Sequence, residues 1–155
     1  MVIIYKNPNG DTRTAKKDVT YEEFQKANDM HRQDVKNVMN EIAYRIMHNG
    51  NKHDYTKKLF ERGFYHNFID ILENGGNFVE SAWYQLHIDR EKHHPLSKCH
   101  KDITLLDIIE MIVDCVCAGK SRSGEVRDLE ISDDILKLAL KNTVKEIDNM
   151  VRVDE

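Results

Sequence analysis

Proline and glycine are scarce: 2 and 7 in 155 residues. So few breakers argue against a loop-rich or disordered chain. Cysteine is scarce too. Cys99, Cys115 and Cys117 are an odd number with no spaced framework, which excludes a disulfide scaffold and fits reduced thiols in a cytoplasm. Cys115 and Cys117 stand two apart in a helical pattern, so they point to different sides and make a poor zinc pair. No apolar run reaches 18 residues, so no membrane span is expected. The start, Met1 to Lys6, is too short and too polar for a secretory signal, and the expected compartment is cytoplasmic. Charge of one sign is also missing. Lys+Arg is 23 against 27 Asp+Glu, a net charge of −4, which excludes a general nucleic-acid binder.

What is present suits a soluble globular protein: 40% hydrophobic and 32% charged residues. The length fits a single domain, residues 1–155, with room for a real core. The fold class expected is mainly α. Residues 1–18 form a β-hairpin appendage and residues 20–151 a helical body. In the hairpin, Val2-Ile3-Ile4-Tyr5 is β-branched and aromatic, Asn7-Pro8-Asn9-Gly10 signals a turn, and Thr12-Arg13-Thr14 returns as the second strand.

Thr20-Tyr21-Glu22-Glu23 is a capping box that opens a helix. Phe24, Ala27, His31, Val35, Val38, Ile42 and Ile46 step along it by 3 and 4, the spacing of a buried stripe with His31 in its middle. Gly50 is placed to close the helix. A second helix is expected over 55–73, with Gly63 as its weak point and Asn74-Gly75-Gly76-Asn77 as its break. A third runs over 78–92 and ends in His93-His94-Pro95. The most apolar helix covers 104–118, and Ser132-Asp133-Asp134 caps a last one reaching Met150.

The chain carries eight histidines, and the stretch that organises them is Gly50-Asn51-Lys52-His53-Asp54-Tyr55-Thr56-Lys57. An adjacent His53-Asp54 pair offers a neutral nitrogen and an anionic oxygen to one cation, a mixture suited to Mn, Fe, Co, Ni or Zn. On the apolar helix, Asp107, Glu110 and Asp114 fall at i, i+3 and i+7 and share a face. Asp114 has apolar residues on both sides, and a carboxylate buried there must be paired or bound to metal. The basic turn Gly119-Lys120-Ser121-Arg122-Ser123 reads either as a solvated helix end or as an anion contact, with Arg122 as the fork for phosphate.

His31, then His53-Asp54, then Asp114 follow the order and rough spacing of the HD-domain superfamily of metal-dependent phosphohydrolases, which the chain resembles. His53-Asp54-Tyr55-Thr56-Lys57 is similar to the His-Asp-x-x-Lys start seen in part of that superfamily. The run Trp83…His87…His93-His94-Pro95…Asp107…Glu110-Met111…Asp114…Ala118-Gly119 resembles, more narrowly, an uncharacterised family found in bacteria and their phages. The resemblance implies an HD-like helical bundle with His31, His53, Asp54 and Asp114 holding one divalent metal (Mn, Fe, Co, Ni, Zn or Mg). Two-metal relatives add two further histidines, a part for His87 and either His93 or His94, with His66 as the spare. His87 and His94 are only seven residues apart, closer than those relatives place them.

The activity implied is hydrolysis of a phosphate ester in a nucleotide or nucleotide-like molecule. Metal-bound water serves as nucleophile, Lys57, Lys120 and Arg122 meet the phosphate, and Glu110 or Asp107 orients or deprotonates the water. Two rivals accompany this expectation. One is an HD-type di-iron oxygenase. The other is a non-catalytic module, of phage or bacterial origin, that binds a nucleotide or a protein. The hairpin and apolar helices are also compatible with a homo-oligomer.

Overall fold

A computed structural model describes residues 1–154. The fold is mainly α. In chain order the elements are β1 (Val2–Tyr5), a 3-10 turn (Pro8–Gly10), α1 (Tyr21–Lys52), α2 (Tyr55–Leu59) and α3 (Glu61–Asn74). A second 3-10 turn (Phe78–Glu80), α4 (Ala82–Arg90), α5 (Leu105–Ser123), α6 (Asp133–Met150) and β2 (Val151–Asp154) follow. They divide into two compact units, Met1–Met47 with Val144–Glu155, and His48–Thr143.

In the first unit the expected hairpin is absent. β1 pairs in parallel with β2, Val2 opposite Val151 and Tyr5 opposite Asp154. The return strand fails because Asp11 gathers the residues after it. Its carbonyl accepts from the backbone N–H of Thr14 at 3.0 Å and of Ala15 at 2.8 Å. Its side chain accepts from the N–H of Arg13 at 2.8 Å. An aspartate that bonds the backbone two residues on makes a turn of its own, so Thr12 to Thr14 curl and leave the edge of β1 to Val151-Arg152-Val153-Asp154. Val151, placed at the end of the helical body 20–151, opens a strand instead.

α1 begins where its capping box predicts. Thr20 N–H donates to Glu23 Oε2 at 2.9 Å, and Glu23 N–H donates to Thr20 Oγ1 at 3.2 Å. Its apolar stripe is not a buried one. Ala27 is buried, with Gly10 packed beside it, but Phe24 and Val35 are each more than 40% exposed. His31 is exposed as well, against the expectation of a histidine buried mid-stripe. Periodicity fixes which side chains share a face; burial also needs an element laid against that face. The helix runs through Gly50 to Lys52, and the left-handed turn that glycine was expected to supply falls instead at Asp54, with φ 55°.

The second unit holds the larger core. Ile103, Ile108, Met111 and Ala139 are buried together, with Leu105, Cys115, Ile131, Ile135 and Leu138 packed around them. Full burial of an aliphatic side chain of this size contributes about 1.5–3 kcal/mol, and these contacts fix α5 against the start of α6. α5 starts with Thr104 as N-cap and Asp107 bonded back to it, a complete capping box. It ends five residues later than expected, at left-handed Gly124. Gly119 lies so close to the returning chain that a Cβ there would meet Glu125 O at 2.5 Å. Among the described residues no helix is long and apolar enough to cross a membrane.

Candidate metal centre

The site lies wholly within the second unit and draws on α2, α4, the turn after α4, and α5. His53 and Asp54 occupy the two-residue break between α1 and α2, so the left-handed backbone at Asp54 sets where its carboxylate points. His87 stands on α4, whose N-terminus is capped by Ser81 Oγ accepting from Tyr84 N–H at 3.1 Å. α4 stops at Arg90, three residues after His87, and the chain turns back through Glu91 to Pro95. This reversal answers the spacing difficulty: His87 Nε2 and His94 Nε2 lie 2.8 Å apart although the residues come from one short segment. His100, whose ring N–H donates to Ile88 O at 2.8 Å, ties the following loop to α4. Glu110 and Asp114 are one turn apart on α5 and face the same place.

The donors converge in two adjoining groups. Asp54, His87, His93 and His94 each offer one atom within 4.8 Å of the others, and so do His53, His93 and Asp114. His87 Nε2 is 3.3 Å and His93 Nε2 3.5 Å from Asp54 Oδ1. His53 Nε2 is 3.5 Å from both Asp54 Oδ2 and Asp114 Oδ1. Four imidazole or carboxylate donors around a first-row ion with bonds of about 2.0–2.2 Å would be spaced by roughly 3.4 Å. The first group could hold a metal ion on that measure.

Two atoms test the fit. Asp54 Oδ1 and His93 Nε2 are both buried and make no hydrogen bond among the described residues, facing each other as an ion pair across 3.5 Å. A buried polar atom without a hydrogen bond costs about 1–3 kcal/mol, and here two of them face the same spot. The outer nitrogens, by contrast, are engaged. His53 Nδ1 and His93 Nδ1 reach the same oxygen, Glu110 Oε1, at 3.0 and 3.1 Å. A carboxylate accepts, so each ring presents its N–H to Glu110 and turns Nε2 inward. A carboxylate behind a ligating histidine holds the ring this way in metal sites generally.

Electrostatics agree with a site short of positive charge. Burial pushes the Asp54 carboxyl up, but the facing His93 ring and the Lys57 ammonium outweigh it and hold the group well below the usual carboxylate range. Burial likewise opposes ionisation of Glu110, and the His93 and His53 rings more than offset it, so its pKa is lowered. Burial alone would push the His93 ring down, but Asp54 and Glu110 carry it up to about 9. His94 goes the other way, down to about 3, through burial and then the neighbouring His93 and His87. A metal among these donors would compete with the proton that Asp54 and Glu110 favour on the His93 ring.

The remaining candidates separate. Lys57 pairs with Asp54 Oδ2 at the half-open side of the site. Asp107 caps α5, its Oδ2 accepting from Thr104 N–H at 2.7 Å and Thr104 Oγ1 at 2.8 Å, and it belongs to neither donor group. Lys120 and Arg122 lie on the last turns of α5, not in a turn of their own. Lys120 Nζ donates to Gly124 O at 3.3 Å, closing the helix end. Arg122 lines a pocket of about 570 Å³ with Phe64, Phe68, Ile71, Leu72 and Phe78. His31 and His66 are exposed, and neither donor group includes them. Neither Glu91 nor Thr56 had a role assigned from the sequence, although both touch the site. Thr56 Oγ1 lies 2.6 Å from His87 Nδ1, and Glu91 Oε1 accepts from Thr56 N–H at 2.9 Å and Thr56 Oγ1 at 2.8 Å. The one signal was Glu91 at i+4 from His87. Trp83 stacks on His87, 15° between planes and 5.0 Å between centroids, which fixes the ring from its face. Compared with protein-family models, with curated proteins and with solved structures, the chain shows no significant match.

Proposed function

We propose that this chain is a metal-dependent phosphohydrolase with an HD-like site. The observation that carries the reading is the convergence of Asp54, His87, His93 and His94, in which the buried Asp54 Oδ1 and His93 Nε2 make no hydrogen bond among the described residues. The order of the donors along the chain supports it: a His-Asp pair, three further histidines, then an aspartate on a later helix. Asp54, His87, His93 and His94 would hold one divalent cation. The one bare nitrogen of His93 serves a single cation, so a second would rest on His53 and Asp114, with Asp54 Oδ2 3.5 Å from His53 Nε2. Four imidazoles favour Mn, Fe, Co, Ni or Zn over Mg, which prefers an all-oxygen shell.

Such a cation supplies a hydroxide from bound water near neutral pH and a Lewis acid for a phosphoryl oxygen. The protein's own residues do the rest. Glu110 keeps His53 and His93 turned inward and is a positioning residue in place of a general base. Lys57, a third exposed beside Asp54, is set to meet an anionic oxygen arriving from the open side. His87 and His93, both about 2% exposed, form the closed wall that keeps bulk water off the donors.

The test is elemental analysis of the purified chain, then a nucleotide and phosphate-ester screen with added Mn2+ or Co2+. About one to two first-row ions per chain and phosphate release that H93A abolishes are expected. Absence of bound metal, with no gain in thermal stability on adding Mn2+ or Co2+, would sink the reading. Iron near two per chain with oxygen consumption and no phosphate release would favour the di-iron oxygenase, which the same donor set of four histidines and two aspartates also suits.

A further inference from the structure

Thr56 and Glu91 decide which nitrogen of His87 is free. Thr56 is buried in the first turn of α2, two residues after Asp54. Its N–H and its hydroxyl both reach Glu91 Oε1, at 2.9 and 2.8 Å. A threonine hydroxyl has one hydrogen, and a carboxylate oxygen takes it as acceptor. With that hydrogen committed to Glu91, Thr56 Oγ1 can meet His87 Nδ1 at 2.6 Å only by accepting. The ring hydrogen of His87 therefore sits on Nδ1. A neutral imidazole carries a single ring hydrogen. Nε2 is left as a bare lone pair, 3.3 Å from Asp54 Oδ1 and 2.8 Å from His94 Nε2. Two bare lone pairs at that separation repel, so in the metal-free chain the hydrogen between the two rings belongs to His94.

We propose that Glu91 and Thr56 are positioning residues that lock His87 in its Nδ1–H tautomer, so that Nε2 faces the donor group ready for a divalent cation. The purpose of the lock rests on the metal reading above; the tautomer is a property of the metal-free chain. Removing Glu91 frees the Thr56 hydrogen to turn toward His87 Nδ1. The ring hydrogen then moves to Nε2 and points into the space a cation would fill.

Imidazole nitrogen NMR on the chelator-treated full chain reads the tautomer directly, and zinc titration reads the consequence. The wild type should show a protonated Nδ1 and an unprotonated Nε2 at His87. E91Q retains a carbonyl oxygen that can accept both Thr56 hydrogens, and should keep the tautomer and most of the zinc affinity. E91A should invert the tautomer and weaken zinc binding about 10–100-fold, the range for loss of a group behind a metal ligand. T56S should behave as wild type. An Nε2–H tautomer in the wild type, or an unchanged His87 tautomer in folded E91A, overturns the proposal. Inversion in E91A with no zinc bound by any variant would uphold the lock and overturn the metal reading instead.

Discussion

Two stretches of this chain look alike in sequence and differ in what surrounds them. α1 in the first unit and α5 in the second are both long, both capped by a Thr box and both carry polar candidates along a helical face. On α5 the apolar positions meet Ile103, Ile131 and Ala139, and the acids one face round meet histidines. On α1 the stripe stays largely open, with one buried residue, Ala27, among the described ones. A histidine at helical spacing therefore says little about burial. A histidine whose outer nitrogen is held by a carboxylate while its inner nitrogen makes no hydrogen bond says a good deal about chemistry.

The comparison breaks most cleanly at the histidines. H93A should lose metal retention by at least about 100-fold, more than loss of a group behind a ligand costs, whereas H31A should retain wild-type metal content. Elemental analysis after dialysis against chelator and reloading checks both. A loss in H31A equal to that in H93A would mean that exposure on α1 misjudges the residue.

The two helices should also differ as packing elements. I108A or M111A should cost about 2–5 kcal/mol of unfolding free energy as buried large-to-small changes, and V35A on α1 about 0.5 kcal/mol or less as an exposed one. Denaturant titration of the three variants sharpens the contrast, and comparable losses would remove it. A smaller effect is expected at Glu110: E110Q should weaken metal binding about tenfold, because an amide holds the His53 and His93 N–H groups less firmly than a carboxylate. Unchanged affinity would demote Glu110 to a bystander.

The smallest effect belongs to the cap of α1. The Lys16 side chain, then the Thr20 backbone, lower the Glu23 carboxyl to about 2. A depressed folded pKa means stability that is present above the ordinary carboxylate range and lost as pH falls toward 2. The helicity difference between wild type and E23Q should accordingly be seen at pH 7 and vanish near pH 2. A difference that persists at pH 2 would assign it to side-chain shape instead of charge.

The sequence read well wherever a local rule decides the outcome. The box Thr20/Glu23, the start of α5 at Leu105 and the end of α6 at Met150 all follow from caps and periodicity. It misled where the answer depended on a distant partner. β1 found Val151 to Asp154 across the whole chain, which no turn signal foretells. The second helix broke at Phe60 and not at Gly63. At the site, His53, Asp54 and Asp114 were legible from order and residue type, and the structure brings them together. His87 with His93 or His94 came from the resemblance alone, against a spacing of seven residues; what closes the gap is α4 stopping at Arg90 and the chain doubling back. Glu91 and Thr56 stayed hidden because a residue behind a ligand has no spacing rule of its own.

Asp54 sits with φ 55°, a left-handed conformation that costs a side-chain-bearing residue roughly 1–2 kcal/mol. Glycine would occupy it freely. The change D54G would relax the backbone and, in the same step, remove the carboxylate that Lys57, His87 and His93 face. The twist at residue 54 therefore acts as an anchor: it fixes one carboxylate among cationic neighbours that offset its conformational cost.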